Sequence, residues 1–201
     1  FQDNILPNIY LPELMAVESW HPSSNELKFN ENIYDTKSNT WVREYKYPQK
    51  QVPSAQESFK EFSQHLSFNE NKQTGFITVS IKHQSPYVAR EWVDLLINQI
   101  NAFYREKDRN EAEKSVAYLN TQIVKTSFTE IKQVVAALLQ QETQKLTLIE
   151  ANEAYVFDYI DPPVVMERKS EPYRALICLL GAIIGGIFGI VVVLINHFRA
   201  K

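Results

Sequence analysis

The side chains that most often bind metals are few and scattered in this sequence. Zinc and other transition metals are held by histidine and cysteine at short, regular spacings. The chain has four histidines and one cysteine, and they show no such spacing to one another: His21, His65, His83, His197 and Cys178. We therefore predict no metal site.

Other catalytic chemistry is equally poorly represented. Asp158 and Asp161 could in principle act as a general acid and base, but carboxylates at the end of a strand-like segment are more often simply solvated. A loop that cradles phosphate needs several glycines, and Gly75 is the only glycine before the C-terminal apolar run. We predict a protein that is not an enzyme and that uses no cofactor.

The charge balance excludes one class of partner. The chain has 24 acidic and 21 basic residues and a formal net charge of −3. Binding to nucleic acid depends on a basic surface that neutralises phosphates. We expect no nucleic-acid partner.

The longest apolar stretch, from Ala175 to Ile195, contains no charged residue. As an α-helix it would be about 31 Å long, which matches the roughly 30 Å of a bilayer's hydrocarbon core. The alternative is a buried helix of a soluble protein, but such helices rarely have more than about a dozen uninterrupted apolar residues. The stretch predicts a transmembrane helix that tethers the preceding residues to a membrane.

Three glycines of this stretch, Gly181, Gly185 and Gly189, repeat every four residues and so lie on one helix face. Missing side chains on one face let a neighbouring helix approach closely. Glycine is also simply better tolerated in membrane helices than in soluble ones. Because three occur in register, we predict a helix-packing face.

The clearest soluble element begins at Ser85 and Pro86, an N-cap followed by proline at the first helical position. No proline or glycine occurs from Tyr87 to Asp161. Apolar residues recur at helical spacing, which predicts one helix from Pro86 to about Val124, roughly 58 Å long. The charged segment from Arg105 to Lys114 is either a solvated face or a part of the helix that projects from the domain.

A second helix is predicted from about Phe128 to Glu150. Ser127 and Glu130 form a capping-box pattern at its start, and apolar residues follow at spacings of three and four. Because the connection to the first helix is short, the two helices should be antiparallel neighbours.

Shorter elements precede this hairpin. A capping box at Ser54 and Glu57 predicts a helix of about three turns ending near Ser67. Before it, we expect a short helix through Pro12 to Trp20 and a strand over Trp41–Tyr47.

Two strand-like segments flank the hairpin, one over Phe76–His83 and one over Ala154–Ile160. Both could join one sheet close to the membrane while the hairpin stands away from it. The predicted fold class is therefore α+β, a membrane-proximal sheet domain with a long antiparallel helical hairpin and a C-terminal transmembrane helix.

The segment after the second strand resembles a known family. It carries a proline-rich connector followed by a basic residue and the glycine-patterned span, and its matching residues are Asp161, Pro162, Pro163, Lys169, Ser170, Pro172 and Arg174. Upstream residues from Thr74 and Gly75 through Ser85, Pro86 and Trp92 to Asn101 are also similar. Together these resemble the Wzz chain-length determinants, the class 1 polysaccharide co-polymerases of Gram-negative bacteria, over about two thirds of the chain.

The resemblance implies a periplasmic domain held by inner-membrane helices and assembled as a ring-like homo-oligomer. Members of the family set the modal length of O-antigen or a related polysaccharide and act with an integral-membrane polymerase. The implied partners are therefore further copies of this chain, the polymerase, the lipid bilayer and a polysaccharide.

The resemblance also divides the chain. Residues 1–85 would be the periplasmic membrane-proximal part, 86–150 the hairpin, 151–174 the strand and proline connector, 175–195 the membrane helix and 196–201 a short cytoplasmic tail. The family has an N-terminal transmembrane helix and a following strand, and because neither is in this sequence, which starts with Phe1, we expect them before that residue. The basic residues on the two sides of the span leave its orientation open.

Two alternatives remain open at the level of sequence. One is a co-polymerase coupled to a tyrosine kinase for capsule or exopolysaccharide export, which a phosphate-binding loop and tyrosine-rich tail after Lys201 would favour. The other is a membrane-tethered sensor or adhesion domain, which should be monomeric.

Overall fold

The computed structural model describes residues 1–152, 154–171 and 174–199 and, within the last helix, the side chains of residues 176–191. The fold is mixed helix and sheet, with long helices and small sheets. Its helices are α1 (Leu11–Met15), α2 (Ala55–His65), α3 (Pro86–Lys125), α4 (Thr129–Ala151) and α5 (Arg174–Arg199). Its strands are β1 (Val17–His21), β2 (Glu26–Phe29), β3 (Tyr34–Asp35), β4 (Thr40–Trp41), β5 (Leu66–Glu70) and β6 (Ile77–Ile81). The chain forms two compact units, Phe1–Val165 and Met166–Lys201.

The described strands form three separate two-stranded antiparallel hairpins, β1–β2, β3–β4 and β5–β6. In each hairpin the turn contains one residue with positive φ, namely Asn25 at 54°, Asn39 at 52° and Gly75 at 72°. Glycine reaches this left-handed region freely, and asparagine tolerates it better than most residues do. The turn chemistry therefore fixes where each pair of strands reverses.

The predictions for the first fifty residues were partly wrong. The helix expected from Pro12 to Trp20 ends at Met15, and strand β1 begins at Val17. The strand expected over Trp41–Tyr47 is limited to Thr40–Trp41. In both places cross-strand pairing decides the local structure, because Trp20 faces Leu27 and Trp41 faces Tyr34.

Helix α2 begins as predicted. The Ser54 hydroxyl accepts a hydrogen bond from the Glu57 backbone N–H at 3.3 Å. The Glu57 carboxylate is also paired with Arg43, whose guanidinium donates to the backbone carbonyls of Lys50 and Gln51 as well. The helix ends at His65, slightly earlier than Ser67, because Leu66–Glu70 pairs with Ile77–Ile81 as strand β5. The strand predicted over Phe76–His83 is confirmed as β6.

The core of the first unit joins α1, α2 and the start of α3. Its buried residues are Ile9, Leu14, Phe62, Val88 and Trp92. The Trp92 ring lies 5.6 Å from the Phe62 ring and 4.9 Å from the His83 imidazole, centroid to centroid. Burial of such large side chains supplies most of the stabilisation of a small core.

The long helical hairpin is confirmed. Helix α3 has Ser85 as N-cap, with the Val88 N–H 3.5 Å from the Ser85 hydroxyl oxygen, and Pro86 at its first position. Only three residues separate it from α4, and the two helices pack together. The capping box predicted at Ser127 and Glu130 is wrong, because Phe128 is the N-cap and no side chain caps this end.

The single sheet predicted to include both strand-like segments is also wrong. Residues Ala154–Ile160 are described and form no strand, and β6 pairs only with β5. The backbone hydrogen bonds of this segment go instead to a side chain of α3, as described below.

His83 ties α1 to the start of α3. Its Nε2 lies 3.0 Å from the Glu13 carbonyl oxygen, and its Nδ1 lies 3.0 Å from the Ser85 backbone N–H. The neutral ring with its proton on Nε2 satisfies both contacts. Burial lowers the pKa of His83, and His65 lowers it further, whereas the backbone carbonyls of Glu13 and Ser85 oppose the shift.

We predict that acidification destabilises the first unit through His83. The ordinary histidine pKa of 6.5 applies in the unfolded chain. Because the folded-state pKa is lower, the unfolded state binds more protons below pH 6.5, and stability falls until the pH passes below the folded-state pKa. The free energy of unfolding, measured with urea from pH 7.5 to 5, should fall as the pH falls. In His83→Gln, the slope of this free energy against pH should be smaller. His21→Gln is the matched control at an exposed position, and an unchanged slope in His83→Gln would refute the prediction.

Candidate functional site

The helical hairpin formed by α3 and α4 is the most prominent candidate for an interaction surface. Its inner face is apolar, and the buried residues there are Ala112 of α3 and Val135 and Ile149 of α4. These positions follow the helical periodicity that predicted the two helices. The inner face therefore holds the hairpin together.

Polar contacts reinforce the hairpin at its base. Arg109 pairs with Glu106 at 2.5 Å within α3 and with Glu150 of α4 at 3.2 Å. The Arg105 guanidinium donates to the Asn152 carbonyl at 2.6 Å. Exposed ion pairs of this kind contribute little each, so their main effect is to align the two helices.

Asn101 binds the segment that leaves the hairpin. Its side-chain oxygen accepts hydrogen bonds from the backbone N–H groups of Val156 and Phe157, both at 2.9 Å, and its amide nitrogen donates to the Phe157 carbonyl at 2.9 Å. One asparagine side chain thus replaces the neighbouring strand that was expected for residues 154–160. Tyr155 adds a hydrogen bond from its hydroxyl to Asp108 at 2.6 Å, and this bond raises the tyrosine pKa.

Exposed apolar side chains flank the buried face of α4. Ile131, Val134 and Leu138 lie on one side of α4 and are about half exposed or more. At the end of the hairpin, Val124 is 83% exposed and Phe128 is 69% exposed. Contiguous exposed apolar residues of this kind mark protein–protein or membrane interaction sites. We call Ile131, Val134 and Leu138 the outer stripe.

Four of the connector residues, Pro162, Pro163, Lys169 and Ser170, lie in chain without regular secondary structure. Pro162 and Pro163 belong to the first unit, and Lys169 and Ser170 to the second. Pro172 lies outside the described residues, and Arg174 begins α5 with its side chain outside them. The described connector residues are thus divided between the two units.

The three glycines of the predicted packing face, Gly181, Gly185 and Gly189, lie in α5. A Cβ atom built on any of them would meet nothing within 4 Å. The described part of the chain therefore offers no neighbour to this face.

The predicted membrane span at 175–195 is not supported by the described residues. Among them, no helix is both long and apolar enough to cross a bilayer. Side chains are described from Leu176 to Val191, a shorter stretch than the roughly 20 residues that a span needs, and those of residue 175 and residues 192–195 lie outside the description.

The residues first considered for chemistry are not assembled into a centre. Within the described ranges, no group of histidine, cysteine or carboxylate side chains is placed to hold a metal ion. Asp158 is exposed, and its carboxylate accepts a hydrogen bond from the Tyr159 N–H at 2.8 Å. Asp161 is exposed as well.

Comparison with models of known protein families gives no match, and comparison with curated proteins gives none either. The sequence analysis missed Asn101 as a structural residue, although an asparagine within a long predicted helix, where this residue type is not favoured, is a signal that could have found it. It also missed the groove beside α1, which depends on residues distant in sequence.

We predict that Asn101→Ala releases residues 155–157 and destabilises the first unit by roughly 2–3 kcal/mol, since three hydrogen bonds are lost at about 1 kcal/mol each. Asn120→Ala, at an exposed asparagine of the same helix, should change stability by less than about 0.5 kcal/mol. Chemical denaturation measures the stability, and amide hydrogen exchange at Val156 and Phe157 reports the local release. Unchanged exchange at these two amides would contradict the assigned role.

Proposed function

We propose that this chain is a non-enzymatic scaffold of the bacterial inner membrane that regulates the modal chain length of O-antigen, or of a related surface polysaccharide. It acts with an integral-membrane polymerase and assembles as a ring-like homo-oligomer. The connector and the start of α3 support the proposal through their resemblance to the Wzz chain-length determinants. The bulk of the chain lies in the periplasm.

The observation that carries the proposal is the outer stripe of the hairpin. An amphipathic helix normally buries its apolar side, and α4 already buries one against α3. Ile131, Val134 and Leu138 widen this apolar side and remain exposed in the described chain. The proposed occupant is the hairpin of a neighbouring copy.

Membrane attachment is part of the proposal. Helix α5 spans Arg174–Arg199, and the sequence has no charged residue between Ala175 and Ile195. A helix of this composition is stable in a bilayer because its backbone hydrogen bonds are internal. Gly181, Gly185 and Gly189 then supply the face for a neighbouring membrane helix.

The outer stripe provides the first test. The triple variant Ile131→Gln, Val134→Gln and Leu138→Gln should assemble into smaller particles in a membrane mimic, because it removes the apolar contact between copies while changing stability little. A matched triple variant on the opposite side of α4, Gln133→Ala, Gln140→Ala and Gln144→Ala, should assemble normally. Mass photometry and electron microscopy measure the particle size.

In a deletion strain, the wild-type protein should restore the length distribution of surface polysaccharide, and the outer-stripe variant should not. If restoring the wild-type, full-length protein leaves the distribution unchanged, the proposed function fails. If the outer-stripe variant assembles and complements like wild type, the role of this surface is wrong.

The glycine face provides a separate test. Replacing Gly181, Gly185 and Gly189 together by leucine should weaken association of the membrane helices and disturb length control, because leucine side chains hold backbones apart. A Cβ at these positions meets no atom of the described chain within 4 Å, and the proposal therefore assigns any effect to a neighbouring helix. Gly186→Leu, on a different side of α5, is the control. Normal association of the triple variant would leave α5 as a plain anchor.

A further inference from the structure

A groove lies between α1, the β1–β2 hairpin and the first turns of α3. Its volume is about 710 Å³, within the roughly 300–1,000 Å³ that is common for small-molecule sites. The lining residues used below are Tyr10, Glu13, Glu26, Lys28, Tyr87 and Glu91. None of them belongs to the outer stripe.

Two tyrosine rings in the groove are held in place by other aromatic side chains. Tyr87 lies 6.2 Å from Trp20, and Tyr10 lies 6.4 Å from Phe29, centroid to centroid. The Tyr10 hydroxyl is hydrogen-bonded to the Tyr34 hydroxyl at 3.0 Å. Nevertheless Tyr10 remains 50% exposed and Tyr87 46% exposed. The groove therefore presents two oriented aromatic rings to solvent.

Glu13 lines the same groove, and within the described ranges its carboxylate has no hydrogen bond or ion pair. Glu13 is half-buried, and its backbone carbonyl is fixed by His83. Burial raises the pKa of this carboxyl, and the charge of Glu91 raises it further. A half-buried acceptor that the protein itself leaves unpaired is well placed to accept hydrogen bonds from a ligand.

The negative charge around the groove indicates which class of ligand can bind. Glu13, Glu26 and Glu91 are carboxylates, whereas the one lysine in the lining, Lys28, is paired with Glu18 at 2.8 Å. An anionic ligand would be repelled. A sugar offers apolar C–H faces to aromatic rings and hydroxyl or amino donors to carboxylates.

We propose that this groove binds a neutral or amino-sugar segment of a polysaccharide, with Tyr87 and Tyr10 as stacking surfaces and Glu13 as the hydrogen-bond acceptor. The identity of the polysaccharide as a surface polysaccharide rests on the proposed function. The inference that the groove binds sugar rests on the groove residues alone. A basic peptide would also suit carboxylates and aromatic rings. The test below distinguishes a basic peptide from a sugar.

The test uses the whole chain in lipid nanodiscs, so that no sugar-based detergent competes. Isothermal titration calorimetry is carried out with four probes: maltohexaose, a glucosamine hexamer, hexagalacturonate and hexalysine. Maltohexaose or the glucosamine hexamer should bind, and hexagalacturonate should bind at least about tenfold more weakly. Tyr87→Ala should weaken sugar binding by about tenfold, and Glu13→Gln should also weaken it, because a charged acceptor makes the stronger hydrogen bond.

Two further variants separate recognition from folding. Tyr87→Phe keeps the ring and should retain binding, and Tyr118→Ala, at an exposed tyrosine in the distal half of α3, should bind like wild type. The proposal is overturned if neither sugar binds at millimolar concentration, if only hexalysine binds, or if Tyr87→Ala and Glu13→Gln both bind like wild type. These titrations do not depend on the complementation assay, so failure of the proposed function would leave their result unchanged.

Discussion

The packing of Trp92 against Phe62 and His83 is the contact on which the first unit depends. Trp92 lies in the second turn of α3, the Phe62 ring comes from α2, and the His83 imidazole comes from the residues just before α3. Helix α3 then continues without interruption to Lys125. The orientation of the hairpin relative to the rest of this unit is therefore set within the first turns of one helix. A cavity at Trp92 would destabilise the core that joins α1, α2 and the start of α3, because buried aromatic side chains are costly to remove.

Side chains provide hydrogen bonds to backbone groups that no neighbouring strand pairs with. Arg43 joins residues 50 and 51 to Glu57 at the start of α2, and Asn101 provides hydrogen bonds to residues 156 and 157. Without these side chains, the peptide groups of both segments would have no hydrogen-bond partner within the described protein and would bond to water. The first unit thus keeps a long, nearly regular hairpin together with irregular segments around its base. This arrangement explains why so few strands are needed.

The two proposed surfaces lie on different parts of the first unit and use different chemistry. The outer stripe of α4 is apolar and suits a second copy of the hairpin, whereas the groove at the start of α3 combines tyrosine rings with carboxylates. In the proposed scaffold, the first surface serves assembly and the second serves contact with the polymer. Because α3 lines the groove and packs against α4, each copy in an assembly would carry one groove beside the base of its hairpin.

The sequence by itself determined the elements whose signals are local. Ser85 with Pro86 fixed the start of α3, Ser54 fixed the start of α2, and helical periodicity gave both arms of the hairpin. Alternation over Ile77–Ile81 gave β6. These features follow from interactions among residues close together in the chain, so pattern and capping chemistry suffice.

The tertiary structure decided the features that depend on distant partners. Residues 154–160 have strand-forming side chains, yet Asn101 takes their hydrogen bonds and no strand forms. Val17–His21 leaves the predicted helix because β2 pairs with it. The groove brings Tyr10 and Glu13 beside Tyr87 although more than seventy residues separate them in sequence. A half-buried carboxylate and an oriented ring become a candidate site only when folding places them side by side, and no local pattern carries that information.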